Sequence, residues 1–186
     1  MAPKPDASQS NWATNLTVNP ELETFIEAHY GQIQYHFVEF IVGHLADCSR
    51  VFGGDLQEML VLGIIGQVLL NTYNKGTPLE DRSNFGAISA SRIADVLGIP
   101  RETVRRKLRS LSERGWIVQT DDAMWKLRIE GGETVARRHL RELDKRGLSR
   151  MVRAVCSLAP LLQTLTDLAE AREDKPPAGW STGETR

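Results

Sequence analysis

The sequence predicts a mainly α-helical fold with one small β-hairpin, and three observations lead to this prediction. Apolar residues recur at helical spacing along most of the 186 residues. Two short amphipathic stretches, 90–97 and 101–114, flank a turn that contains Gly98. Residues 116–119 and 124–129 then read as two strands on either side of a turn at Asp121-Asp122, and apolar and basic side chains alternate over 125–129 of the return strand.

The segments on either side of this region are also predicted to be helical. One long helix runs at helical period to residue 48, and residues 56–73 form a second helix that is apolar on nearly every side. After Gly131-Gly132 we predict a helix over 133–146, ended by Gly147, and another over 148–172 that is kinked at Pro160. The predicted organisation is a disordered tail (1–18), N-terminal helices (19–75), a central helix-turn-helix with its hairpin (86–130), C-terminal helices (133–172) and a second disordered tail (173–186).

Local signals mark the ends of the two short central helices. Ser89 suits the N-cap of the first, and Gly98 suits its end. Pro100 suits the start of the second helix, and Gly115 suits its end. Two helices around a short turn that contains glycine predict a helix-turn-helix.

The helix over 56–73 has its own signals. Asp55 and Glu58 have the spacing of a capping box, with Asp in place of Ser or Thr. Gly63 and Gly66 are costly inside a helix. We therefore expect another helix to approach closely at these two glycines.

The return strand of the hairpin has two different faces. Trp125, Leu127 and Ile129 share one face, and Lys126 and Arg128 share the other. The apolar face is expected to cover the helix-turn-helix, and the basic face is expected to point outward. A helix-turn-helix followed by such a hairpin is a winged helix-turn-helix.

Positive charge is concentrated in the same region. The chain has a formal net charge of −1, but residues 1–81 sum to −7, residues 82–153 to +8 and residues 154–186 to −2. A basic segment in a nearly neutral chain is the charge pattern of a nucleic-acid-binding surface. A second basic stretch, 136–153, holds seven basic and two acidic residues. It is either a solvated helix surface or a further contact with phosphate or with a partner's acidic face.

The helix over 101–114 carries the functional prediction. Val104, Leu108 and Leu111 form its apolar stripe, and the direction opposite falls among Glu102, Arg106, Arg109 and Ser110. Arg can hold guanine with two hydrogen bonds, and Glu can accept one from the amino group of cytosine. Glu102 therefore either reads a base or orients Arg106, four positions on, through an ion pair.

This region resembles known regulators. The stretch SRIADVLGIPRETVRRKLRSLSERGWIV is similar to the helix-turn-helix of bacterial winged-helix transcription regulators. Its RETV-R--L--L pattern resembles the cyclic-AMP receptor protein/fumarate-nitrate regulator group, which implies base reading by Arg101, Glu102 and Arg106. The pattern also resembles the GntR group, which favours Arg101, Thr103 and Arg105. Pro100 stands where the motif usually has Ser.

The order of elements resembles a third group. Two helices, a helix-turn-helix, a wing and two closing helices are arranged as in the MarR (multiple-antibiotic-resistance repressor) family. That resemblance implies a homodimer formed by the first and last helices, and a small-molecule effector. Phe25, Tyr30, Phe37 and Phe40 either line such an effector pocket or belong to the core.

The sequence thus predicts a homodimeric, sequence-specific regulator that binds double-stranded DNA. The alternative is a winged-helix module that binds another protein and no DNA. The candidate DNA-binding residues are Ser91, Arg101, Glu102, Thr103, Arg105, Arg106, Arg109, Lys126 and Arg128.

Other classes of protein are disfavoured. The chain has no phosphate-binding loop, dinucleotide fingerprint, nucleophile elbow or HExxH motif, so we expect no enzyme and no cofactor. His29 and His36 are too far apart along a helix to share one metal ion without other ligands, and we expect no metal site. Cys48 and Cys156 have no disulfide or metal spacing. With no signal peptide and no membrane-length apolar run, we expect a cytoplasmic location and no membrane partner.

Overall fold

The structure is a computed structural model that describes residues 20–74 and 86–173. It confirms the predicted fold class, because the described residues are mainly helical with a small antiparallel hairpin. The elements are α1 (Pro20–Ala28), α2 (Tyr30–Val51), α3 (Leu56–Asn74), α4 (Ala90–Leu97), α5 (Arg101–Glu113), β1 (Ile117–Gln119), β2 (Trp125–Leu127), β3 (Ile129–Glu130), β4 (Glu133–Thr134) and α6 (Val135–Glu173). The predicted tail at 1–18 lies outside the described residues, as does the predicted tail at 173–186 except for Glu173, which is the last residue of α6.

The described residues divide into two compact units. One comprises 42–148, and the other comprises 20–41 together with 149–173. The first unit holds the hydrophobic core, to which α3, α4, α5, the hairpin and the start of α6 all contribute. Its most deeply buried side chains include Val61, Ile65, Ile93, Leu108 and Leu111, each 0% exposed.

The long first helix is interrupted, which corrects the prediction of one helix to residue 48. α1 ends at Ala28 and α2 begins at Tyr30, and α2 then continues to Val51. At the break, the N–H of Gln32 donates to the carbonyl of His29 at 3.1 Å, a tighter turn than an α-helix makes. The neighbouring Gly31 favours this interruption, since glycine is a poor helix former.

α3 begins as its signals predicted, but its glycines do not have the expected neighbour. The Oδ1 atom of Asp55 accepts a hydrogen bond from the N–H of Glu58 at 3.0 Å, which caps the helix. Among residues 20–74 and 86–173, nothing lies within 4 Å of a Cβ built on Gly63 or Gly66. The expected close approach of another helix at these positions was therefore wrong.

The hairpin pairs Ile117 with Leu127 and Gln119 with Trp125. A second hairpin, which was not predicted, pairs β3 with β4 across Gly131-Gly132, where both glycines have positive φ. The first return strand therefore ends at Leu127. Ile129 was predicted to share a covered face with Trp125 and Leu127. Because of this break it does not, and its side chain is 42% exposed.

α6 is one helix from Val135 to Glu173, so the predicted end at Gly147 was wrong. Gly147 is buried inside the helix. Pro160 also lies inside α6, and its carbonyl accepts a hydrogen bond from the hydroxyl of Thr164. A glycine ends a helix when the chain adopts positive φ there, and Gly147 keeps helical geometry instead.

Residues considered for other roles have different environments. Phe25 is buried, Phe40 is half-buried, and Tyr30 and Phe37 are exposed. Cys48 is buried and Cys156 is exposed. Across 20–74 and 86–173, His, Cys, Asp and Glu side chains form no group of three that could hold a metal ion.

None of the helices described is by itself both long and apolar enough to cross a membrane. The pair formed by Tyr30–Val51 and Leu56–Asn71 meets this criterion only when both helices are taken together, and the two are bent by 102°.

Candidate nucleic-acid interface

The turn between α4 and α5 forms from the residues that predicted it. The hydroxyl of Ser89 accepts a hydrogen bond from the N–H of Arg92 at 3.1 Å and caps α4. Gly98 ends α4 with a φ of 65°, in the left-handed region that glycine enters without strain. Pro100, predicted to start the second helix, stands at the N-cap of α5, one residue before the first helical position, and its carbonyl accepts the first helical hydrogen bond from the N–H of Val104 at 3.1 Å.

α5 has a buried face and an exposed basic face. Val104, Leu108 and Leu111 are each 0% exposed and anchor the helix in the core. The exposed side chains include four arginines: Arg101, Arg105, Arg106 and Arg109. Glu102 is also exposed, whereas Thr103 is half-buried. The structure therefore places five of the candidate residues of α5 on its solvent side, with Thr103 at the edge.

Glu102 has a different ion-pair partner from the one considered in the sequence analysis. Its carboxylate lies 3.5 Å from the guanidinium of Arg105, three positions on, instead of pairing with Arg106. Both side chains are about two-thirds or more exposed, at 78% for Glu102 and 66% for Arg105. Such an exposed and long pair is weak, so both groups can be redirected to a ligand at little cost.

Ser110 is not on the exposed face where the helical period placed it. Its hydroxyl donates a hydrogen bond to Oε1 of Glu58 on α3 at 2.9 Å. Arg114, one turn further, also contacts Glu58, with Nε 3.2 Å from Oε1. Glu58 is 3% exposed, so its charge is held in the interior by these two partners.

A second carboxylate of the same helix start contacts α5. Asp55 forms an ion pair with Lys107, whose side chain is 12% exposed. Burial raises the pKa of the Asp55 carboxyl, but hydrogen bonds from Lys107 and from the Glu58 N–H, with the charges of Lys107 and Arg106, bring the pKa below its ordinary value. We call Asp55, Glu58, Lys107, Ser110 and Arg114 the carboxylate clamp.

The carboxylate clamp was not predicted from the sequence. Asp55 and Glu58 were predicted only as cap residues, and Lys107 was counted among the basic charges. Two signals were present, namely the acidic pair at the start of α3 and the spacing of Lys107, Ser110 and Arg114 along one edge of α5. Because 52 residues separate Asp55 from Lys107 along the chain, nothing local predicted that they meet.

A groove runs beside the basic face of α5. Its walls come from the start of α4, from α5 and from the hairpin. The candidate residues Ser91, Arg105 and Arg109 line it together with Gln119 and Trp125. The structure therefore brings the exposed Ser91 next to two of the arginines, as a strip of backbone phosphates would require.

The wing is less basic than predicted. Lys126 is half-buried in β2, opposite Val118. Arg128 is exposed, but its Nε lies 2.8 Å from Oε1 of Glu130. Glu130 also pairs with Arg138 at 2.6 Å, and the hydrogen bond from Arg138 with the charge of Arg128 lowers the pKa of the Glu130 carboxyl.

The tip of the wing is acidic. Asp121 and Asp122 are both exposed in the turn between β1 and β2. Ala123, which follows them, lines the groove together with Arg105 and Arg109. The acidic tip is therefore next to the basic face of α5.

The second basic stretch is largely neutralised within α6 and its neighbours. Arg137 and Arg141 pair with Glu133 at 3.6 and 3.3 Å, and Arg146 pairs with the buried Asp47 at 3.3 Å. These contacts favour the simpler of the two interpretations for 136–153, a helix surface with compensated charge.

A comparison with known families is consistent with this geometry. Residues 83–121 match the family model of the IclR helix-turn-helix domain. The match spans α4, α5 and β1, and it is to a different group from those that the motif resembles. No curated protein and no solved structure matches the chain. The match supports a bacterial helix-turn-helix transcription regulator that binds DNA.

Proposed function

We propose that the chain is a sequence-specific transcription regulator that acts in the cytoplasm as a homodimer and reads double-stranded DNA with α5. The two faces of α5 carry this proposal. Its apolar stripe is completely buried, and four arginines with Glu102 are exposed on the remaining surface. Recognition helices enter the major groove in this way and contact base edges from their N-terminal half.

The exposed side chains divide into two roles. Arg101, Glu102 and Arg106 are the proposed base-reading set, with Arg105 and Thr103 as the alternative partners of Arg101. Arg109 and Ser91 border the groove beside α5 and are proposed to contact phosphates, as are Lys126 and Arg128 of the wing. The weak Glu102–Arg105 pair supports a reading role, because it can open when a base arrives.

A second copy of the chain is the proposed partner for the apolar surface of α6. Leu148, Val155 and Leu162 follow each other at seven-residue intervals and are each at least 50% exposed. Met151 and Val152 lie beside them and are exposed as well. A seven-residue apolar repeat is typical of helices that pair along their length. This stripe supports a MarR-like arrangement, in which the last helix contributes to the dimer.

We also propose that the regulator responds to a small-molecule effector, as its resemblance to the MarR family implies. The exposed aromatic side chains of Tyr30 and Phe37 support it, because they offer apolar surface on α2. A library of small aromatic compounds that shifts the thermal midpoint of the free protein and weakens its binding to DNA would identify the effector class.

One experiment tests the function. Duplexes selected from a random pool by the full chain should share two half-sites about one helical turn apart. Affinity for the selected duplex should fall steeply as salt increases. The logarithm of the association constant, plotted against the logarithm of the salt concentration, should have a slope of about −0.9 for each phosphate contact. The control is a random duplex of equal length. Failure to bind either duplex at low salt would reject the proposal and favour the protein-binding module.

A further inference from the structure

Two sets of contacts attach α5 to the rest of the domain, and they lie on different sides of the helix. One is the carboxylate clamp, and the other is the buried apolar stripe of Val104, Leu108 and Leu111. At about 100° per residue, Lys107, Ser110 and Arg114 lie on one line, about a quarter turn from the centre of the stripe. The basic face occupies the opposite flank and the outer surface. α5 is therefore attached to the hydrophobic core by its apolar stripe, and to the start of α3 by Asp55 and Glu58.

These two attachments constrain different motions. Burial of the stripe is non-directional, so it opposes lifting of the helix more than a small rotation about its own axis. The hydrogen bond from Ser110 to Glu58 at 2.9 Å and the ion pair from Lys107 to Asp55 have defined geometry. Any rotation of α5 would break these contacts and would also swing the arginines relative to the rest of the domain.

The clamp is itself held by rigid neighbours. The N–H of Asp55 donates to the carbonyl of Phe52 at 3.1 Å across Gly53 and Gly54, which have φ values of 60° and 86°. Phe52 is buried, and the guanidinium of Arg114 lies 5.9 Å from the centre of its ring. Asp55 therefore closes a hydrogen-bonded turn that follows α2, and Glu58 lies in the first turn of α3.

We propose that Asp55 and Glu58 are positioning residues that set the rotation of the recognition helix α5, and thereby determine sequence specificity without touching DNA. This inference rests on the proposed function. Side-chain groups that recognise a ligand must be held to within about 0.5 Å of their productive positions. The guanidinium of an arginine is farther from the helix axis than the backbone, so it moves farther than the backbone when the helix rotates. Loss of the clamp should therefore weaken reading of the selected sequence more than general attraction to DNA.

The sign of the effect separates this role from simple electrostatics. Removing a carboxylate beside a DNA-binding helix makes the protein more positive, which by charge alone strengthens binding to every duplex. A positioning role instead lowers affinity for the selected duplex. The two explanations thus predict opposite changes for the same variant.

The test uses the full chain with Asp55→Asn and Glu58→Gln. Asn caps a helix about as well as Asp, so the first variant keeps the start of α3 while it loses the ion pair with Lys107. The control is Asp95→Asn, which removes an exposed carboxylate of α4 outside the clamp. Affinities for the selected and the random duplex are measured at matched salt. Hydrogen–deuterium exchange of the α5 amides is measured without DNA.

We expect the ratio of selected to random affinity to fall about tenfold in each clamp variant, the size of one lost base contact. Exchange across 101–113 should become at least about threefold faster while exchange in α4 is unchanged. Asp95→Asn should leave the ratio and the exchange as they are. Equal increases in both affinities with unchanged α5 exchange would overturn the inference, as would equal decreases with a lower thermal midpoint.

The same measurements distinguish a failure of the positioning role from a failure of the proposed function. If the unaltered chain binds no duplex at low salt, the proposed function is wrong. The exchange measurement then still decides whether Asp55 and Glu58 hold α5, because it uses no DNA.

Discussion

Gly147 of α6 packs directly against the imidazole of His44 on α2. A Cβ built on Gly147 would lie 2.9 Å from Cε1 and 3.0 Å from Nδ1 of that ring, closer than side-chain atoms can approach. We therefore expect Gly147→Ala to destabilise the protein. Overpacking costs about 1–3 kcal/mol, and alanine's better helix propensity offsets up to about 1 kcal/mol of this. The thermal midpoint, measured by circular dichroism, should fall by a few degrees.

Gly63→Ala is the matched control for this variant. Gly63 also lies inside a helix, but a Cβ there would meet no atom within 4 Å in the part of the chain that the structure describes. Alanine at this position should stabilise the protein by about 0.5–1 kcal/mol, since only helix propensity changes. A thermal midpoint that rises in both variants would contradict the close packing of His44 on Gly147.

The two glycines illustrate what the sequence could and could not predict. Both are glycines in helical sequence, and we predicted close contact at Gly63 and a helix end at Gly147. The structure shows close contact at Gly147, and no described residue lies close to a Cβ built on Gly63. A glycine in helical sequence is compatible with close packing, with a helix end or with neither, and only the packed structure shows which applies.

The helix-turn-helix was predicted well because its signals are local. The cap at Ser89, the left-handed Gly98 and the buried stripe of α5 all come from residues within one or two turns of each other. The carboxylate clamp was not predicted, since it joins helices whose contact residues are 52 or more positions apart. The turn between β2 and β3 was missed for a similar reason, because Arg128 bonds the backbone of both Trp116 and Val135 there.

Arg106→Ala should lose sequence preference, whereas Lys126→Ala should weaken binding to all DNA alike. Arg106 is exposed on α5, where a guanidinium can hold a guanine with two hydrogen bonds, and losing that contact costs about 1–3 kcal/mol for the selected duplex. Lys126 is on the wing, where we propose that its charge acts on phosphates. Affinities for the selected and random duplexes, measured by fluorescence anisotropy at matched salt, distinguish the two cases. Unchanged affinities of Arg106→Ala for both duplexes would exclude a base-reading role.

The acidic wing tip should weaken binding to DNA of any sequence. Asp121 and Asp122 are exposed beside the groove that Arg105 and Arg109 line, so on the proposed function they should repel the phosphates that bind there. The double variant Asp121→Asn/Asp122→Asn should raise affinity for selected and random duplexes by about two- to fivefold each at low salt. Its ratio of selected to random affinity should not change.

The double variant Glu23→Gln/Glu27→Gln is the control for net charge, because it also removes two exposed carboxylates, but on α1. If both double variants raise affinity equally, the effect comes from total charge and the position of the wing tip has no part in it. If neither does, the wing tip lies away from the phosphates.

Val155→Glu should separate the proposed dimer into monomers. Val155 is 54% exposed at the middle of the apolar stripe of α6, where a second copy would bury it. An uncompensated buried charge costs several kcal/mol, so the dimer should weaken by about 100-fold or more. Arg153→Glu adds the same side chain on the opposite side of the helix and should leave the dimer intact. Sedimentation velocity at micromolar concentration measures both variants. A monomeric unaltered chain, or equal dissociation of both variants, would show that this stripe does not join two copies.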